Sequence, residues 1–185
     1  MTGVDETVAH AAIKALIRTI PDYPKPGILF RDVTTLLSDG PGFRAAIDAL
    51  VEPHRGARIA KIAAIEARGF IVGGAMADRL GAGFVPLRKR GKLPHTVVGV
   101  DYELEYGVDR VEVHADAIEA GDRILVVDDL IATGGTALAA IALIEQLGGV
   151  VCGVAAIIDL PDLGGSDRIR ALGHEVHALC AFAGD

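Results

Sequence analysis

The sequence predicts an α/β fold, a doubly wound, mostly parallel sheet with helices on both faces. Three observations predict it. Apolar runs of strand length alternate along the chain with segments whose apolar residues recur at helical spacing, the pattern of right-handed strand–helix–strand units. Ile124-Leu-Val-Val127 is apolar at every position, as a central strand covered on both faces must be. Composition agrees: 51% of residues are hydrophobic, 23 are glycine and none is tryptophan.

Each element follows from its local pattern. Ala9, Ile13, Leu16, Ile17 and Ile20 recur at helical spacing, which predicts an amphipathic helix over Val8 to Thr19, ended by Pro21. Pro21 to Gly27 is expected to be irregular. The patterns then predict a helix over Gly42 to Pro53, a strand over Ile59 to Ile65, a helix over Phe70 to Leu80 and a strand over Gly83 to Leu87. Arg88 to Tyr102 loses periodicity and, with Gly91, Pro94 and Gly99, reads as a long basic loop of the kind that serves a site. Arg110 to His114 alternates, as a returning antiparallel strand would, and Gly121-Asp122 is a turn. After the strand at Ile124, a helix is expected to begin near Gly135 and to run through Leu147. Strands at Val150 to Ile158 and Glu175 to Leu179, with a short helix near Asp167 to Leu172, complete the chain. No repeat or linker interrupts the pattern, so residues 1–185 read as one domain, long enough to bury roughly 70% of its unfolded surface.

The charge balance narrows the function classes. A net charge of −7, without a basic tail, argues against nonspecific binding to nucleic acid. Arg88, Lys89, Arg90 and Lys92 nevertheless form one basic cluster, suited to gathering a small polyanion. The longest apolar run, Val150 to Ile158, is too short for a membrane span, which requires about 20 residues. Cys152 and Cys180 lie in apolar surroundings and read as reduced residues of a cytoplasmic protein. The acidic start, Met1 to Glu6, lacks the features of a signal peptide. The six histidines form no metal motif; His174-Glu-Val-His177 lacks the spacing of a zinc site.

The chemistry concentrates at Ile124 to Thr136. Asp128 and Asp129 are expected at the carboxyl end of the buried strand, where open α/β sheets place ligands. Thr133-Gly134-Gly135-Thr136 then opens a helix, whose first N–H groups and positive end suit a phosphate. Carboxylates would repel a phosphate but accept hydrogen bonds from vicinal hydroxyls, so the acids suit a ribose ring and the turn its 5′-phosphate. A nucleoside triphosphate loop would need a lysine where Gly135 stands. An ordinary strand, turn and capped helix would account for a lone Thr-Gly-Gly-Thr, but tandem acids at the end of a buried strand serve no packing purpose.

This segment resembles the 5-phosphoribosyl 1-diphosphate (PRPP) signature of the type I phosphoribosyltransferases. The resemblance extends through Tyr23-Pro-Lys-Pro-Gly-Ile-Leu-Phe-Arg-Asp32, Glu66-Ala-Arg-Gly-Phe70, Arg88-Lys-Arg-Gly-Lys-Leu-Pro94 and Leu104-Glu-Tyr-Gly107, and points to the adenine-specific branch. It implies a small N-terminal hood at about residues 21–35 and a mobile loop at about 88–107. Asp128, Asp129, Ala132, Thr133, Gly134, Gly135 and Thr136 would hold the ribose and its phosphate. Arg68, Arg88, Lys89 and Lys92 would hold the diphosphate, with a cis peptide between Glu66 and Ala67. Phe30 would stack on adenine while backbone groups of Leu29 and Arg31 read its Watson–Crick edge. Family members that use 6-oxopurines carry an aspartate where Ala132 stands, so the resemblance assigns proton transfer to Glu105, with Tyr106 positioning the loop.

The implied reaction transfers 5-phosphoribosyl from PRPP to N9 of adenine, giving AMP and diphosphate in purine salvage. It would require Mg²⁺, held mainly by PRPP oxygens, in a cytoplasmic homodimer whose Arg88 and Lys89 act across the interface. Two alternatives stay open: a transferase for orotate or a 6-oxopurine, against which Ala132 and the Leu104 to Gly107 segment weigh, and a non-catalytic PRPP-sensing regulator, which would need a nucleic-acid-binding face.

Overall fold

The computed structural model describes residues 3–104 and 107–184. In chain order the elements are α1 (Gly3–Ala15), β1 (Arg18–Pro21), β2 (Leu29–Asp32), α2 (Thr34–Ser38), α3 (Gly40–Val51), β3 (Lys61–Ile65), α4 (Gly69–Leu80) and β4 (Gly83–Lys89). There follow β5 (Val97–Leu104), β6 (Gly107–His114), β7 (Arg123–Ile131), α5 (Gly135–Gln146), β8 (Val150–Asp159), α6 (Gly165–Ala171) and β9 (Val176–Ala181). Seven strands form one sheet in the order β5-β6-β4-β3-β7-β8-β9. Its β4-β3-β7-β8-β9 portion is parallel, and β6 and β5 extend it antiparallel. β1 and β2 form a separate antiparallel ribbon.

The period-two pleat of the central strands divides the core. Ile62, Ala64, Leu125, Val127, Ala155 and Ile157 join residues of α1, α3 and α4 on one face. Their neighbours Ala63, Ile65, Ile124, Val126, Val154 and Ala156 join α5 and the β4–β6 strands on the other. Unbroken apolar runs are therefore required in these strands, because both pleats meet a core. Asp39 caps α3 by accepting from the Gly42 N–H at 2.7 Å, and Gly81 ends α4 at φ 64°.

Two expectations are corrected. The first helix stops at Ala15 rather than Thr19, because Arg18 to Pro21 pair with Leu29 to Asp32. Cross-strand hydrogen bonding and the Arg18–Asp32 ion pair outweigh the helical spacing of Ile20. Nor is Arg88 to Tyr102 an aperiodic loop: Arg88 and Lys89 end β4, and Val97 to Leu104 pair along their whole length with β6. Val98, Val100 and Tyr102 pack against the α5-side core, a period of two that the charged and glycine positions between them obscure. Gly99 leaves room there for the Arg110 side chain, whose Nε would stand 2.6 Å from a Cβ at this position. The short helix α2 was not anticipated, and α6 begins two residues earlier than expected.

Candidate active site

The site forms where β7 outruns β3. Their pairing ends at Ala64 opposite Val127, so Asp128 is the first β7 residue to face the Glu66–Arg68 turn instead of a strand. The two acids lie in the carboxyl-terminal part of β7, where the sequence places them, and the strand continues through Leu130 and Ile131. Opposite pleats separate their side chains, yet both line a cavity of about 280 Å³ with Glu66, Arg68, Arg88 and Lys89. Gly69 opens α4 directly against Asp128: a Cβ there would stand 2.9 Å from Asp128 Oδ1. Only glycine allows that approach.

The acids differ in setting. Asp129 is 6% exposed and its Oδ2 accepts from Arg68 Nε at 2.7 Å. Asp128 keeps an edge on the cavity, and its Oδ1 accepts from the Asp129 N–H at 2.8 Å. Burial, reinforced by the neighbouring charge of Asp129, holds the Asp128 carboxyl well above the ordinary carboxylate range. Such a group gains most from a ligand that brings hydroxyl donors or developing positive charge.

Arg68 connects three parts of the site. Besides pairing with Asp129, its guanidinium lies 5.9 Å from the Phe30 ring, bringing the β1–β2 ribbon to the cavity. Phe30 also meets Tyr23 edge to face at 5.2 Å between centroids. Leu29 and Phe30 are half-buried in β2; the Arg31 side chain is buried and turns away, toward Thr19 and Ala183. The Glu66–Ala67 peptide is cis, as the resemblance implied.

Glu66 ties this turn to β4. Its Oε2 accepts from Arg88 Nε and Nη2, both at 3.1 Å, and its Oε1 from the Lys89 N–H at 2.6 Å. Lys89 Nζ pairs with Asp109 at 3.0 Å, raising the lysine pKa and lowering that of the aspartate chiefly through this hydrogen bond. Tyr102 donates to the same Asp109 at 3.3 Å, and burial raises its pKa. Arg88 and Lys89 thus line the cavity of their own chain. Lys92 is exposed and is absent from the cavity wall; its carbonyl accepts from Arg88 Nη1 at 3.0 Å. Glu105 and Tyr106 lie outside the described residues.

A second hollow of about 100 Å³ adjoins the first, sharing Asp128, Leu130 and Thr136 and lined by Ala132, Thr133, Gly134 and Gly135. Gly134 adopts φ 78° and precedes α5 without a side-chain cap, leaving first-turn N–H groups for a ligand. Sequence reasoning missed what braces this turn. Gly165 N–H donates to the Ala132 carbonyl at 3.1 Å, and Arg168 Nη1 to the Thr133 carbonyl at 3.0 Å. It also missed Tyr102 and Arg110 in the cavity wall, for which the Val98, Val100, Tyr102 alternation was the available signal.

Residues 33–172 match the phosphoribosyl transferase domain, the class that this fold and paired hollows define. The chain is 62% identical to an adenine phosphoribosyltransferase of Cereibacter sphaeroides over 177 residues, 96% of this chain and 99% of that protein. It is 59% identical to one from Methylorubrum populi over 97% of this chain and 99% of that protein. Crystal structures of the Rhodothermus marinus and Saccharomyces cerevisiae adenine phosphoribosyltransferases superpose with TM-scores of 0.90 and 0.88, at 50% and 37% identity. The first match covers 95% of this chain and 99% of that one; the second covers 94% and 99%, and that protein is complexed with adenine and an imino-altritol bisphosphate. The chain belongs to the adenine phosphoribosyltransferase family.

Proposed function

We propose that this chain transfers the 5-phosphoribosyl group of PRPP to N9 of adenine, forming AMP and releasing diphosphate. The observation that carries the reading is the contiguity of the two hollows: paired acids on β7 open directly onto the uncapped start of α5. Asp128 and Asp129 would take the ribose hydroxyls, and Thr133 to Thr136 with the Ala132 backbone would take the 5′-phosphate. Arg68, Arg88 and Lys89 form the cationic side of the larger cavity, suited to the diphosphate; Lys92 would join them only on loop movement. Phe30 would stack on adenine, with Leu29 and Arg31 main-chain groups reading the 6-amino group and N1. A 6-oxopurine reverses both pairings, at about 10⁴-fold discrimination in a dry site.

Positive charge grows on the ribose ring as the diphosphate leaves, and the two carboxylates stabilise it. That charge also draws the Asp128 carboxyl toward its ionised form. Carboxylate oxygens of Glu66, Asp128 and Asp129 line the larger cavity, a hard-oxygen setting that fits Mg²⁺ carried in mainly by PRPP oxygens. Bound there, Mg²⁺ would supply charge neutralisation of the leaving diphosphate. We assign proton transfer at the imidazole edge of adenine to Glu105, and loop positioning to Tyr106, in the β5–β6 connection.

We take residues 1–185 as one catalytic domain, with about residues 21–35 as its hood and about 88–107 as its closing segment. We further infer a cytoplasmic homodimer, in which Arg88 and Lys89 serve the diphosphate in the cavity that they line in their own chain rather than the neighbour's. Free Cys152 and Cys180 support the reducing location, and no helix among the described residues is long and apolar enough to cross a membrane.

Purified protein with PRPP and Mg²⁺ should convert adenine, and not hypoxanthine, guanine, xanthine or orotate, to the nucleotide. Asp129→Asn should reduce kcat/KM about 10²–10³-fold. Turnover of another base in preference to adenine, or of none, would overturn the reading. Sedimentation of the active protein as a monomer would overturn the homodimer.

A further inference from the structure

Phe182 follows β9 and is 9% exposed, and two cations address its ring: the Lys14 ammonium at 4.5 Å and the Arg31 guanidinium at 4.7 Å from the centroid. Arg31 is 8% exposed and pairs with no carboxylate among the described residues. Its Nη1 donates to Thr19 Oγ1 at 2.6 Å and its Nη2 to the Ala183 carbonyl at 2.9 Å, while Nε is buried without a partner. A buried guanidinium without a counterion is a costly way to fill space. Its contacts converge on the ribbon and on the segment 182–184.

That segment is fixed to the main sheet. The Phe182 N–H donates to the Asp159 carbonyl at the end of β8 at 3.0 Å, and the Gly184 N–H to Asp162 Oδ2 at 2.7 Å. Lys14 of α1 donates to the Ala181 carbonyl. β2 meets it with alternate residues. Leu29 Cδ1 lies 3.5 Å from where a Gly184 Cβ would stand, and Arg31 reaches Ala183 and Phe182. In a strand the intervening residue must face the other way, and Phe30 does, toward Arg68 and Tyr23.

We propose that Phe182 and the Arg31 side chain are positioning residues for adenine: segment 182–184 is a back-plate that holds β2 in the pleat presenting Phe30 and its flanking main-chain groups to the base. This rests on the functional reading above. The Arg31 and Phe182 side chains meet each other, Thr19, Ala183 and Lys14, none of which belongs to the phosphate turn, so the contact acts on adenine rather than on PRPP.

Phe182→Leu keeps an apolar side chain and removes the π face. It should raise the KM for adenine about tenfold while the KM for PRPP and kcat stay within about twofold. Phe182→Tyr should restore it. Arg31→Gln reads the same contact from the ribbon and should raise the adenine KM in the same selective way. Unchanged adenine KM in either folded variant, or equal rises for adenine and PRPP, would overturn the proposal. Loss of folding in both would mark the contact as a stability element and overturn it too. Absence of adenine turnover in the unsubstituted chain would instead sink the functional reading.

Discussion

Asp32 ends the ribbon that carries Phe30, and hydrogen bonds from Thr34 and from both Nε and Nη2 of Arg18 hold it ionised. Its Oδ1 accepts from the Thr34 hydroxyl at 2.6 Å and the Thr34 N–H at 3.0 Å, and its Oδ2 from Arg18 Nε at 3.2 Å. The Thr34 hydroxyl bond, then Arg18, lowers its pKa from 3.8 to about 2. Arg18 is 58% exposed, so solvent screens that pair and the Thr34 bonds contribute more. A depressed folded-state pKa stabilises wherever the carboxylate is ionised in both states: the contribution is complete above about pH 4 and disappears as pH falls through about 2. Asp32→Asn should therefore cost about 2 kcal/mol near neutrality, and the gap from the parent should close on acidification. Thermal unfolding of both proteins from neutral pH downward checks this; a constant gap would show that the carboxylate's charge is not what matters. The motif was legible in sequence at this scale, because the chemistry of Asp128, Asp129, Arg68 and Thr133 to Thr136 is carried by residue type. The unequal environments of the two acids were not, since burial depends on what the rest of the chain places around them.

Elements determine whether those residues meet. The phosphate turn before α5 is interlocked with the turn before α6, and a Cβ on Gly165 would stand 2.2 Å from the Ala132 carbonyl oxygen. Backbone lies on both sides of that contact, so neither a rotamer change nor a flexible tip can relieve it. Gly165→Ala should destabilise by about 1–3 kcal/mol and raise the KM for PRPP more than that for adenine. Gly40→Ala is the control: a Cβ there meets nothing within 4 Å, and its effect should stay within about 0.5 kcal/mol. Melting curves with KM values for both substrates test the pair, and a fully active, equally stable Gly165→Ala would refute the interlock. No local signal announces this contact, because Gly134 and Gly165 are far apart in sequence. The β5 strand teaches the converse. Its alternation was present in Val98, Val100 and Tyr102, but Gly99 and the acidic Asp101 and Glu103 masked it, and only pairing with β6 turns the segment into a strand.

At the scale of the molecule, one sheet serves two cores. β3, β7 and β8 contribute alternate residues to both, so neither face can melt while the other keeps its strands. Leu125→Ala, on the α4 side, and Ile144→Ala, on the α5 side, remove side chains with no exposure. Each should cost about 2–5 kcal/mol and lower the same single unfolding transition. Guanidinium unfolding followed by far-ultraviolet circular dichroism and by tyrosine fluorescence should give coincident curves; separated midpoints would reveal two independent units.

The sequence by itself determined the parallel sheet and the chemistry at the end of its central strand. Apolar periodicity reports burial on one or two faces, and residue type states which groups can grip a sugar or a phosphate. Only the tertiary structure decided that Arg18 to Pro21 pair instead of coiling, that Arg68 joins Asp129 to the Phe30 ring, and that residues 182–184 stand behind Leu29 and Arg31. Those outcomes are contacts between segments distant along the chain, and their free energy arises only when the folded backbone brings the partners within hydrogen-bonding or van der Waals reach.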